Sequence, residues 1–308
     1  MVRLILGCGY LGLRVAEKWL EAGDQVFAIS RSQQRKAILE REGLQVITAD
    51  ITDVGSLKTI AESLPPIETI LFAVGFDRSK YDSIQAVYVD GLVNFLEHVQ
   101  VSFGHFIYIS STGVFGPTDA DEQGFVTEDS SANPIRPGGV ACLEAENLLR
   151  KRLEDRLTIL RLAGIYGPSR VPSLKFIQQQ QWDKLNPTGF LNLIHVTDAA
   201  EIVSQVAALA SNADAAVAGE MFLVSDGSAV QRKVYYEHLA WLLDFEIKWG
   251  QAEGLEADSS TETRRSVNKR VDSSKLRKSI PVELSFPSYR EGIADLLPEL
   301  VDQSDTRP

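Results

Sequence analysis

The residues with the plainest chemical purpose stand near the start of the chain: Gly7-Cys8-Gly9-Tyr10-Leu11-Gly12, a G-x-G-x-x-G run. It follows an apolar run, Val2–Leu6, and opens a stretch of helical periodicity, the setting in which such glycines bind a dinucleotide. Gly7 makes the tight turn, Gly9 lets the backbone approach a pyrophosphate, and Gly12 lets helix and strand pack closely. The amides of the helix start, around Tyr10 and Leu11, and the positive end of its dipole face the phosphates. The bland alternative, a glycine turn that holds nothing, does not explain why a strand and a helix flank it.

The next apolar run ends at Ser30-Arg31-Ser32, about 20 residues past the glycines, where the ribose reader of such a site stands. No acidic residue is there to accept from a ribose 2′-hydroxyl. Arg31, with Arg35 and Lys36 nearby, is placed to meet a 2′-phosphate, which favours NADP over NAD. A surface arginine without a ligand is the competing reading. Other chemistries find no support: His98, His105, His195 and His238 lack metal-ligand spacing, and there is no G-x-S-x-G elbow or phosphate-binding G-x-x-x-x-G-K loop. Cys8 and Cys142 lack a C-x-x-C spacing and read as reduced core thiols of an intracellular protein. No metal is expected.

Short, almost continuously apolar runs at 2–6, 25–29, 44–48, 69–74, 105–110, 157–165 and 220–225 must position these residues. Strands covered by helices on both faces have this character. Helical periodicity fills 11–22, which ends at Gly23, and also 92–96 and 143–153. The alternation predicts an α/β, doubly wound parallel-sheet Rossmann fold with a smaller C-terminal substrate lobe. Residues 1–170 form the dinucleotide-binding domain and 171–308 the lobe, with 191–208 and 220–226 returning to the main domain. Residues 178–181 read as a solvated helix face, 250–265 as a polar loop, and the tail from Asp302 as frayed.

A chain of 308 residues, 44% hydrophobic, is long enough to bury a sizeable core. Its net charge of −11 argues against nucleic acid as a partner. The opening apolar run is too short for a signal peptide, and no stretch reaches the ~18 apolar residues of a membrane span. A cytoplasmic monomer or homodimer acting on a small molecule is expected.

The motifs taken together resemble the extended or atypical short-chain dehydrogenase/reductases, the NAD-dependent epimerase/dehydratase group. They are the glycine loop, Ala49-Asp50-Ile51, Phe72-Ala73-Val74-Gly75, the Ser110-to-Gly116 stretch, Leu160-Arg161-Leu162-Ala163-Gly164-Ile165-Tyr166-Gly167-Pro168 and Asn192-Leu193-Ile194-His195-Val196-Thr197-Asp198. The resemblance implies that Asp50 accepts from the adenine amino group and Ile51 packs on its ring. Ala73, Val74 and Gly75 would line the cofactor ribose, Ser110 and Ser111 would sit beside the nicotinamide, and the stretch from Leu162 would flank its carboxamide. Thr112, Phe115 and Arg136 would face substrate. His195 and Asp198 would hold a loop and helix start in place.

One departure is plain. The group normally uses Tyr-x-x-x-Lys, a phenol that moves the proton and a lysine that tunes it. Counting back from Ala145-Glu146 puts Gly138 at the tyrosine position and Cys142 at the lysine position. None of the eight tyrosines is followed four residues on by lysine. Ser111 keeps the catalytic hydroxyl position, while Cys142 reads as packing. Two functions follow as expectations: an NAD(P)-dependent oxidoreductase or epimerase for a sugar nucleotide or other small polar carbonyl compound, or a non-catalytic NADP(H) sensor.

Overall fold

The computed structural model describes residues 1–58, 60, 63–117, 119–212, 216–249 and 268–302. The expected loop at 250–265 and all but the first residue of the expected frayed tail lie outside them.

Seven strands form one parallel sheet: β1 (Val2–Leu6), β2 (Gln25–Ser30), β3 (Gln45–Thr48), β4 (Ile67–Phe72), β5 (Phe103–Ser111), β7 (Leu157–Leu162) and β11 (Met221–Val224); the short strands β6 (Phe125–Val126) and β9 (Phe190–Leu191) lie outside it, and α2 (Gln33–Arg41) and α3 (Val54–Leu57) follow β2 and β3. Their order is β11-β7-β5-β4-β1-β2-β3, the doubly wound arrangement expected. Successive side chains of a strand point to opposite faces. Ile5 therefore joins one core with Val15, Ala16 and Trp19 of α1 (Tyr10–Glu21) and Val203 of α7 (Val196–Ser211). Leu4 and Leu6 join the other, with Phe95 of α4 (Gly91–His98) and Leu149 of α5 (Pro137–Leu153). Strand order reverses at β1, which pairs with β2 on one side and β4 on the other, so a crevice opens beyond the carboxyl ends of β1 and β4.

A third cluster, including Tyr166, Ile177, Tyr235, Tyr236 and Ile293, gathers α6 (Leu174–Gln178), α8 (Arg232–Leu242) and the helix Tyr289–Asp302. Among the described residues no helix is long and apolar enough to cross a membrane.

Several boundaries differ from the sequence reading. The run 157–165 is not one strand. β7 stops at Leu162, and β8 (Gly164–Tyr166) turns away to pair with β10 (Leu193–His195), where Asn192 O accepts from Gly164 N at 2.9 Å. Helix α5 begins at Pro137, before the stretch the apolar period marks, because proline suits a first helical turn whose N–H has no partner. Of residues 178–181 only Gln178 is helical, and 179–181 are exposed.

Candidate functional site

Gly7 follows β1 with φ +90°, and a Cβ there would clash with Ala73 O. Only glycine fits both the dihedral and the gap. A Cβ on Gly12 would lie 2.5 Å from Gly7 O, so Gly12 serves helix–strand packing and sits behind the turn. Gly9 differs from both: a Cβ there would meet nothing within 4 Å. Its backbone opens onto a cleft of about 660 Å³. Gly9 caps α1 without a side-chain hydrogen bond, and no acidic residue occupies the first turn. A bare, positively polarised helix start facing open space has the electrostatics that suit an anion.

The cleft gathers most of the residues singled out in the sequence. Residues 7–11 form its floor, Ala73, Val74 and Gly75 one wall, and Ser110, Ser111, Thr112 and Leu162 the far end. Arg31, Arg35 and Ile51 line the opposite end. Arg31 stands 3.6 Å from Asp77 and over the Tyr81 ring at 4.8 Å. A half-exposed pair at that distance contributes little, which leaves the guanidinium able to turn to a phosphate. Arg35 donates to Cys8 O at 3.2 Å.

Asp50 is not in the cleft wall. Its carboxylate accepts from Thr52 N at 2.9 Å, Thr52 Oγ1 at 2.7 Å and Tyr81 Oη at 2.6 Å. Burial disfavours its charge, yet these hydrogen bonds hold the carboxyl below its usual range. Both oxygens are thus engaged within the protein itself.

The serine pair divides in two. Ser110 Oγ is buried and donates to Glu146 Oε1 at 2.6 Å. Glu146 also receives the fork of Arg161, at 2.9 Å from Nε and 2.7 Å from the terminal nitrogen. Ser111 Oγ accepts from Gly113 N at 3.0 Å and faces outward. It also lines a second cleft, of about 750 Å³, with Arg136, Gly138 and Cys142. Tyr81, Tyr88, Ser111 and Cys142 line both clefts and mark where they meet.

Phe115 is a correction: expected to face substrate, it is 2% exposed and belongs to a core cluster with Val114, Val126 and Leu223. Arg161 and Lys269 lie over its ring at 5.0 and 5.7 Å, so cation–π packing explains the aromatic residue. Lys269 carried no sequence signal. It reaches across the chain to donate to Thr112 O and Phe115 O at 2.8 Å each, bracing the turn Thr112–Val114 after Ser111. Burial, helped by nearby Arg136, lowers it to about 8.

Burial pushes the Cys142 thiol up to about 11 and that of Cys8 to about 12, which suits packing and not proton transfer. His195 is away from both clefts. Its Nδ1 accepts from Thr197 N at 3.3 Å to cap α7, and its ring packs against Phe286 at 4.0 Å. Asp198 accepts from Ser285 N and Phe286 N at 2.8 and 3.0 Å, tying that segment down. Tyr88 went unmarked in the sequence because it belongs to no spacing motif.

Comparison with known proteins adds four findings. The profile of the NAD dependent epimerase/dehydratase family matches residues 4–224. Protein YeeZ of Escherichia coli (strain K12) is 32% identical over 142 residues, 46% of this chain and 46% of YeeZ, so the match spans about half that relative's length. A Methylobacillus flagellatus protein, provisionally described as an NAD-dependent epimerase/dehydratase, is 26% identical with TM-score 0.73, covering 97% of this chain and 98% of that one. DesIV, a dTDP-glucose 4,6-dehydratase of Streptomyces venezuelae solved with NAD and TYD bound, shares the fold at TM-score 0.75 and 18% identity, covering 98% of this chain and 97% of its own.

Proposed function

Since this chain belongs to the NAD-dependent epimerase/dehydratase family, we propose that it holds a nicotinamide dinucleotide in the glycine-loop cleft and works as an oxidoreductase or epimerase. Its substrate is a small polar carbonyl or hydroxyl compound, with sugar nucleotides the leading class. The residues fit the cofactor: the open face of Gly9 and the uncapped start of α1 suit a diphosphate. Arg31 and Arg35 at one end of the cleft suit a 2′-phosphate, which favours NADP. Bound there, the dinucleotide supplies hydride exchange at its nicotinamide.

The protein's own part is placement. Ser111 Oγ is the hydroxyl positioned to donate to a substrate oxygen entering from the second cleft. Leu162 gives the far end of the first cleft an apolar side chain against which a nicotinamide ring would pack. The observation that carries this reading is that the two clefts meet at Ser111. Titration with NADPH and NADH, followed by a carbonyl-substrate screen read as loss of reduced-cofactor absorbance, tests it. Binding with turnover that Ser111→Ala abolishes supports the enzyme; absence of dinucleotide binding defeats it.

A second reading has its own support. Gly138 and Cys142 stand where the family's proton-transfer pair is found, and burial holds the Cys142 thiol protonated. Tight NADPH binding without turnover over a broad panel would favour a sensor.

A further inference from the structure

The stretch before α4 departs from α-helical geometry: Ala86–Asp90 forms a π-helical turn with Tyr88 at its centre. Such turns are uncommon and collect at functional sites. A Cβ on Gly138 would lie 3.4 Å from Ile84 Cδ1, one turn before Tyr88. The start of α5 thus lies beside the segment that leads into this turn, and the Tyr88 side chain reaches the place where the clefts join.

Few proton-bearing side chains stand at that junction. Tyr81 is committed to Asp50 at 2.6 Å. Tyr108 is 2% exposed and packs on Phe72. Cys142 is buried. Tyr88 differs: its oxygen accepts from Phe76 N at 3.3 Å, and no acceptor for its own proton is found among the described residues. We propose that Tyr88 is the catalytic proton donor of this protein, its hydroxyl serving the substrate oxygen held by Ser111. The inference rests on the cofactor reading above.

In the reducing direction the Tyr88 Oη–H bond breaks as an O–H bond forms on the former carbonyl oxygen. The carbonyl carbon receives its two electrons as hydride from the reduced nicotinamide dinucleotide, which is oxidised in exchange. Water in the open cleft returns a proton to the phenolate. Donation from Phe76 N–H steadies that phenolate, the service a lysine cation performs in relatives with the usual pair. Burial and the neighbouring Cys142 raise Tyr88 above its ordinary range, so it carries its proton at neutral pH. The titratable groups around it are Tyr81, Asp82 and Arg78 from the preceding loop, Tyr108 from β5, and Cys142 and Arg136 at α5.

The test compares the whole protein with Tyr88→Phe, which keeps the ring, and Tyr88→His, which restores a proton-bearing one. NADPH affinity should stay within about threefold in both. In wild type, saturating oxidised dinucleotide, whose nicotinamide is cationic, should move one tyrosine ionisation to lower pH in the tyrosinate ultraviolet absorbance. Tyr88→Phe should lose that ionisation. On any carbonyl compound that wild type reduces, kcat should fall by about 10²–10⁴-fold in Tyr88→Phe with KM little changed, and Tyr88→His should recover part of it. A displaced ionisation that persists in Tyr88→Phe, its absence from dinucleotide-saturated wild type, or kcat within about threefold of wild type in Tyr88→Phe overturns the assignment. Failure of wild type to bind either dinucleotide is a separate result: it removes the cofactor reading first.

Discussion

Within a single loop, identical residue types answer to different physics. Gly7 is demanded by a left-handed dihedral and by Ala73 O, which an added Cβ would strike, so Gly7→Ala should cost about 2–5 kcal/mol in denaturant unfolding. Gly9 has no such neighbour, since a Cβ there would meet nothing within 4 Å. Gly9→Ala should change stability by less than about 1 kcal/mol yet weaken NADPH binding about tenfold or more by calorimetry, because the methyl projects into the space a diphosphate needs. An equal loss of stability in both variants would mean that the loop is purely structural. Arg31→Ala should lower NADPH affinity about tenfold while leaving NADH nearly unchanged. Loss of both equally would refute the 2′-phosphate role.

Between elements, the decisive joint is the one that ties β5 and β7 to α5. Glu146 is fully buried and takes Ser110 and the Arg161 fork together. Such a pair adds little over an apolar one, but breaking it strands the partner charge. Glu146→Gln should therefore destabilise the fold by about 3–5 kcal/mol in urea unfolding. It should also loosen the strand end that presents Ser111. A loss under about 1 kcal/mol would show that Arg161 finds another partner. The same joint explains why adjacent serines have separate fates: Ser110 faces the helix, and Ser111, on the other side of the strand, faces the clefts.

For the whole molecule, stability is coupled to both ligand and pH. NADPH at about 100 times its Kd should add about 2.7 kcal/mol and raise Tm by several degrees, read by calorimetry. An unchanged Tm at that ratio would speak against binding to the native state alone. Asp226 is 6% exposed, and burial lifts its carboxyl to about 7 against the hydrogen bond from Ser228 N. The folded protein thus binds a proton there that the unfolded chain releases near pH 4. Its favourable contribution is complete below about pH 4 and is lost as pH rises through about 7. Relative to wild type, Asp226→Asn should be nearly neutral at pH 4 and more stable at pH 8, by at most about 4 kcal/mol. A pH-independent difference would refute the assignment.

The α/β class, the parallel sheet, the seven strand positions and the glycine bend between β1 and α1 were legible in the chain because each rests on local cause. A strand covered on both faces is apolar throughout, as Leu4, Ile5 and Leu6 are, and a phosphate-binding bend must lack side chains at set places. Strand ends were less legible, since β8 leaves the run begun by β7 to meet a partner nearly thirty residues on. Folding alone settled the orientation of side chains and the meeting of distant ones. It turned Phe115 inward between two cations, drew Lys269 under a turn more than 150 residues away, and brought Tyr88 and Ser111 to the lining of the same two clefts. A spacing rule sees only what one helix or one turn brings together, whereas a cleft draws its wall from the ends of many strands at once.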